Sequence, residues 1–121
     1  MKKIILVFLF LIVPTLAFSE TITWTNPTEY TDGSPISSQD QAALKTHIYW
    51  GTSANGPWTE FALVENGANT WSGKLPAARG QLAYYTLKSE LHNLLSDYCT
   101  PVSYTVPFIP TKSPVGLTIS P

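Results

Sequence analysis

Two histidines, one cysteine and eight carboxylates are the side chains of this 121-residue sequence that acid–base, nucleophilic or metal chemistry would call on. His47 sits in an alternating stretch and His92 in a polar one, and neither has a sequence-adjacent ligand partner. No H-E-x-x-H, C-x-x-C or G-x-S-x-G arrangement occurs, so neither a zinc site nor a nucleophile elbow is expected. Cys99 is the only cysteine, which excludes an intramolecular disulfide. With nothing beside it to lower its pKa, it reads as a small half-buried hydrophobe, or else as one half of an intermolecular disulfide. Glu29, Asp32 and Ser34 could gather oxygens around a hard cation, but Ca²⁺ takes six to eight of them, and Asp32-Gly33 has a sufficient task as a turn. No pair of acids lies in a setting that would raise a carboxyl pKa for glycoside hydrolysis. The expectation is therefore no enzyme: no catalytic residue, no metal and no cofactor.

What remains are side chains suited to contact. Tyr30 and Asp32 lie in a long loop over 26–44, and Leu94, Leu95 and Tyr98 in a second loop over 92–98. Tyr49 falls on the outward face of a strand. The tyrosines could meet a protein surface or stack on a sugar ring, whereas Leu94 and Leu95 are either plugs folded back on the core or an exposed apolar contact. In sandwich folds the strands are scaffold and the loops carry recognition, so these residues are the candidate binding set.

The elements that position them read as short strands of period two. Ile22 and Trp24 alternate with Thr21, Thr23 and Thr25, and Asn26-Pro27 ends that run by removing a donor and fixing φ. Residues 37–46 read as loop, with Ser38 or Asp40 able to cap a single helical turn and Leu44 as the plug that seats the loop. Thr46, Ile48 and Trp50 share one face, with His47 and Tyr49 on the other. Asn55-Gly56 is a hairpin signal, and the return strand over 58–65 puts Phe61 and Leu63 on one face. Trp71, Gly73 and Leu75 align next, before a corner at 76–80. In the most regular strand Ala83, Tyr85, Leu87, Ser89 and Leu91 face inward, and Tyr84, Thr86, Lys88 and Glu90 outward. Val102, Tyr104 and Val106 close the set. The expected core is Trp24, Ile48, Trp50, Trp71, Leu75, Tyr85, Leu87, Val102, Tyr104 and Val106, in one all-β domain.

The first nineteen residues read differently. Lys2-Lys3 precedes an unbroken apolar run over 4–13, Pro14 ends it, and Ala17 and Ser19 are small residues at the two positions a signal peptidase reads. Residues 1–19 are expected to be a signal peptide, giving an exported chain, periplasmic or secreted. The apolar run is shorter than the ~20 residues a spanning helix needs, so no membrane insertion is expected after cleavage. Charged residues make up only 12% of the chain and the formal net charge is −1, which leaves no basic stripe for a nucleic acid.

Several of these stretches carry a family resemblance. Trp24-Thr-Asn-Pro-Thr-Glu-Tyr-Thr-Asp-Gly-Ser-Pro-Ile36, Ile48-Tyr-Trp-Gly-Thr-Ser53, Leu75-Pro76, Tyr84-Tyr85 and Val102-Ser-Tyr-Thr-Val-Pro107 resemble successive landmarks of a bacterial fibronectin type III domain over residues 21–107. The resemblance implies an immunoglobulin-like β-sandwich of six to seven antiparallel strands, the first short or missing. It makes Trp24 the core tryptophan and gives a corner tyrosine, Tyr84 or Tyr85, whose hydroxyl bonds back toward Leu75-Pro76. It also implies that the two loops project from the same pole. The chain is similar, too, to small exported proteins carried by prophages.

The organisation expected is thus a signal peptide over 1–19, a sandwich over 20–108 and a Pro-rich tail over 109–121. In that tail Val115, Leu117 and Ile119 alternate like a strand, as a frayed end would by chance or as a strand added to an open sheet edge would by need. The function expected is a non-catalytic module that binds a protein partner through its loops or sheet edge, with a carbohydrate-binding role through two or three coplanar exposed aromatics as the alternative.

Overall fold

β-Branched and aromatic residues alternating with threonine, cut by proline, glycine and asparagine every ten residues or so, favour extended segments that each bury one face. The structure, a computed structural model, describes residues 10–14, 19–108, 116 and 118–120. Among these, eight strands and one helical turn follow in order: β1 (Leu11–Pro14), β2 (Glu20–Thr23), α1 (Ser38–Gln41), β3 (Lys45–Gly51), β4 (Thr59–Val64), β5 (Thr70–Gly73), β6 (Leu82–Leu91), β7 (Leu94–Leu95) and β8 (Val102–Thr105). Two antiparallel sheets result, one in the order β1-β2-β5 and one in the order β4-β3-β6, with β7 and β8 sharing the outer edge of β6. This is the all-β, immunoglobulin-like sandwich expected from the sequence.

The core lies between the sheets. Ile22, Ile48, Tyr85 and Leu87 are fully buried, and Trp24, Leu75 and Val106 nearly so. Each such side chain contributes roughly 1.5–3 kcal/mol relative to its exposed state. Trp50, Trp71, Val102 and Tyr104 pack against this cluster at its rim and are half-buried. Phe61 meets Trp71 and Tyr85 edge to face, with centroids 5.4 and 6.1 Å apart.

Three local readings change. Ile48 pairs Ala62 and Tyr49 pairs Glu60, so Phe61 is the extra residue of a β-bulge. The bulge resets the alternation of β4: Phe61, Ala62 and Val64 pack on the core, while Leu63, expected beside Phe61, is 46% exposed. Residues 38–41 form a helical turn rather than loop, and its N-cap is Ser37, whose side chain accepts from the Asp40 amide at 3.1 Å. Thr86 has the outward parity expected of it yet is fully buried, because its hydroxyl donates to the Cys99 carbonyl at 2.8 Å under the chain that crosses over it.

Residues 1–9 and 15–18 of the expected signal peptide lie outside the described residues. The part that is described forms the first strand. Leu11 pairs Thr23 and Pro14 pairs Glu20, with Phe10 and Ile12 buried in the core and Leu11 facing out at 59% exposure. The first strand is therefore present and short, and it is made from the end of the apolar run. Of the tail, 109–115, 117 and 121 lie outside the described residues; Gly116 and 118–120 belong to no strand, and Ile119 is 90% exposed.

Candidate binding pole

The far end of β6 turns on two residues. His92 and Asn93 both have positive φ, 52° and 62°, and Leu91 pairs Leu94 across them, the geometry of a two-residue turn whose twist matches the flanking strands. The sequence signal was there to be read: an asparagine between Leu91 and the Leu94-Leu95 pair is a residue that tolerates this backbone. The hairpin leaves Leu94 half-buried and Leu95 52% exposed. Leu91, behind them, is buried with Ile36, Leu44 and the partly buried Tyr30 in a small second core beneath the loop over 26–44.

Polar contacts join the two loops. Asp40 Oδ2 accepts from the Tyr30 hydroxyl at 3.1 Å and lies 3.3 Å from His92 Nε2. The hydrogen bond from His92, with that from Tyr30 behind it, holds the Asp40 carboxyl below its ordinary pKa against the opposing effect of burial. Burial, and then the bond to Asp40, push the Tyr30 phenol up. Asp32 accepts from the Ser34 amide at 2.9 Å and from its hydroxyl, so its carboxylate shapes the turn at Gly33. A second bond network anchors the base of the pole. Trp24 Nε1 donates to Asn26 Oδ1 at 2.8 Å, Asn26 Nδ2 donates to the Gly67 carbonyl at 2.8 Å, and Gly67 N donates to the Leu44 carbonyl at 2.9 Å. Gly67 has φ +69°, and a Cβ there would collide with the Gln41 carbonyl oxygen. Only glycine lets the turn between β4 and β5 approach the loop over 26–44 so closely.

Between β7 and β8 the chain leaves the edge of β6, and side chains substitute for the missing strand. Ser96 Oγ accepts from the Ser89 amide at 2.9 Å, and Cys99 Sγ accepts from the Leu87 amide at 3.3 Å. Cys99 is 6% exposed, and burial pushes its thiol up. The excursion carries Tyr98 over the outer face of the sheet. There it meets Tyr49 edge-on at 5.1 Å with planes 86° apart, Trp58 at 5.9 Å with planes 44° apart, and Lys88, whose Nζ is 4.1 Å from its ring centroid. Tyr98 is 40% exposed, and Tyr49, expected to stand out from the strand, is half-buried, its phenol pushed up to about 12 by burial and then by Glu60. Beside them His47 bridges two carboxylates, Nδ1 to Glu60 and Nε2 to Glu90 at 2.8 Å.

Of the candidate set, the structure thus brings Tyr30, Leu94 and Leu95 to one pole with Asp32 in the adjoining loop, and it sends Tyr98 to the sheet face with Tyr49. His92, Asp40 and Trp58 belong to these clusters and were not singled out from the sequence as contact residues. Of the two candidates for the corner tyrosine, Tyr85 does not make the bond that the resemblance implied: its hydroxyl is buried and reaches no hydrogen-bond partner among the described residues. Burial, then Glu20 and Tyr104, push that phenol up to about 12. At the opposite pole a concavity of about 640 Å³ is lined by Glu20, Lys74, Leu75, Ala77, Arg79 and Val106, with Arg79 3.6 Å from the buried Glu20 carboxylate. Among the described residues no group of three or more histidine, cysteine, aspartate or glutamate side chains is arranged to hold a metal ion.

Comparison with solved structures gives the fold a name. An Fn3-like protein from Clostridium thermocellum superposes with a TM-score of 0.60 at 13% identity, covering 85% of this chain and 95% of that one. A fibronectin type III domain of the human KIAA0970 protein gives a TM-score of 0.65 at 11% identity, covering 93% and 83%. The chicken interferon gamma receptor alpha chain gives 0.59 at 12%, covering 84% of this chain and half of its own. No family model matches the sequence, and no curated protein matches it. The fold is that of a fibronectin type III domain.

Proposed function

Starting from a fibronectin type III fold, we propose that this chain is an exported, non-catalytic binding module that recognises a protein partner through the loop pole. The observation that carries the reading is Leu95: a large apolar side chain, 52% exposed, at the tip of a hairpin whose two-residue turn is fixed and braced by Asp40. A preorganised apolar anchor loses little entropy on binding, which is the property of an interface hot spot. Leu94 precedes it in the hairpin, Tyr30 is joined to the hairpin turn through Asp40, and Asp32 stands in the adjoining loop; these supply the rim. The partner is a protein rather than a glycan, because Tyr49, Trp58 and Tyr98 are packed at 44° and 86° to one another and offer no coplanar platform for sugar rings.

The test is to place a photo-crosslinking residue at Leu95 and, separately, at Thr105 near the other pole, export the full-length chain in a bacterial host, and irradiate. A discrete protein adduct from position 95, absent from position 105 and competed by unlabelled wild type but not by Leu95→Glu, is the expected outcome. Binding on a glycan array that Tyr98→Ala abolishes and Leu95→Glu leaves intact would replace this reading with the carbohydrate one.

A further inference from the structure

The edge of β2 is occupied by a segment that export would remove, given the cleavage on which the proposed function also rests. Loss of residues 1–19 takes away β1, leaving the backbone of Glu20–Thr23 unpaired on that side and emptying the core positions of Phe10 and Ile12. An open edge over an exposed core is unfavourable on both counts: unpaired N–H and C=O groups invite another strand, and apolar surface returns to water.

Three observations identify the segment that fills it. The chain leaves β8 beside β2: Arg79 Nη1 is 3.2 Å from the Pro107 carbonyl and 3.6 Å from Glu20 Oε1, so one nitrogen touches both the exit of the last strand and the start of β2. Residues 115–119 repeat the pattern of the departing strand, with Val115, Leu117 and Ile119 alternating with Gly116 and Thr118 as Phe10 and Ile12 alternate with the exposed Leu11. The connector 109–114, which contains Pro110 and Pro114, spans roughly 19 Å if extended at ~3.1 Å per residue. That reaches past the four residues of β2, about 13 Å long at ~3.3 Å per residue, and allows the chain to return along β2 antiparallel, as β1 runs. While β1 holds the edge, Ile119 stands 90% exposed.

We propose that in the processed chain residues 115–119 take the place of β1 along β2. Cleavage exchanges one edge strand for another from the same chain: the unprocessed form excludes the tail, and the processed form seats it.

The experiment exports the full-length chain, recovers the product, reads its N-terminal residue by mass spectrometry, and compares its amide hydrogen exchange with that of the uncleaved chain. In the processed product the amides of 115–119 should be slowed on the order of 100-fold, together with those of 20–23, as paired strands are. In the uncleaved chain 20–23 should be protected and 115–119 should exchange freely. Leu117→Asp, on the inward face of the alternation, should abolish the protection of 115–119, and Thr118→Asp, on the outward face, should leave it. A monomeric processed product with 115–119 unprotected overturns the inference while the export reading stands. Protection that appears only in a dimer assigns the edge to a second copy and overturns it likewise. An N-terminus that leaves residues 11–14 on the exported product removes the leader reading, and the inference with it.

Discussion

The two sheets close their exposed edges in different ways. Along β6 the outer edge is filled by β7, then by Ser96 and Cys99 acting as acceptors where the strand breaks, then by β8, all from one continuous stretch of chain. Along β2 the outer edge is filled by four residues, β1, that belong to a segment read as a leader. The first edge tolerates an irregular course, since every departure is compensated by a side chain already in place. The second has no such reserve, so its integrity depends on which segment is present. The candidate contact residues Leu94 and Leu95 lie at the far end of the self-sufficient sheet.

The sharpest way to break this comparison is in the core. Leu87→Ala, at a fully buried position on β6, should destabilise the chain by about 2–5 kcal/mol whether or not residues 1–19 are present. Ile12→Ala, at a buried position beside β2, should destabilise the unprocessed chain as well, which urea denaturation checks; unchanged stability would show that β1 adds nothing to the core. Next in size is the side-chain repair of the β6 edge. Cys99→Ala deprives the Leu87 amide of its acceptor and should cost about 1–3 kcal/mol, and Cys99→Ser, which can accept from the same N–H, should recover part of that.

A smaller effect of opposite sign is expected at Tyr85. Its hydroxyl is buried without a partner among the described residues, so Tyr85→Phe should leave thermal stability unchanged or raise it, whereas a bonded corner tyrosine would lose stability on the same change. Tyr49 and Tyr85 keep their protons to about 12, above the ordinary phenol value of about 10. The stability they contribute is therefore complete below pH ~10 and lost as pH rises from there toward about 12, which absorbance titration of native and urea-unfolded chain would display. The smallest effect is local to the loop pole. The Asp40 carboxyl is held below its ordinary value, so the bracing it gives Tyr30 and His92 is complete above the unfolded aspartate pKa of about 3.9 and fades as pH falls below it. Backbone exchange over residues 28–44 should quicken at that step in the wild type and show no such step in Asp40→Asn.

Period-two alternation was enough to read the sandwich, because a strand with one buried face writes its orientation into every second residue. Ile22, Ile48, Leu87 and Val106 follow it without exception. It failed where one residue too many or a crossing segment intervened. The extra Phe61 turned Leu63 outward, and the chain over Thr86 buried a side chain whose parity pointed to solvent. Edge partners were the least legible feature. Which segment pairs with β2, and that a serine hydroxyl and a cysteine sulfur stand in for a strand on β6, depend on contacts between positions distant along the chain, and no local pattern encodes them. At the candidate binding pole the two loops were legible from their content, but Tyr98 was not placed, since its course follows from the break between β7 and β8.

The shared grip of Arg79 on Pro107 and Glu20 also sets the orientation of the molecule. The start of β2 lies where β8 leaves the sandwich, at one pole, and the Leu94–Leu95 hairpin lies at the other, about 30 Å away along the ten residues of β6 at ~3.4 Å each. Arg79 thus clips the start of β2 to the exit of β8, so a pull that separates residues 20 and 107 loads this one side chain before it reaches the strands.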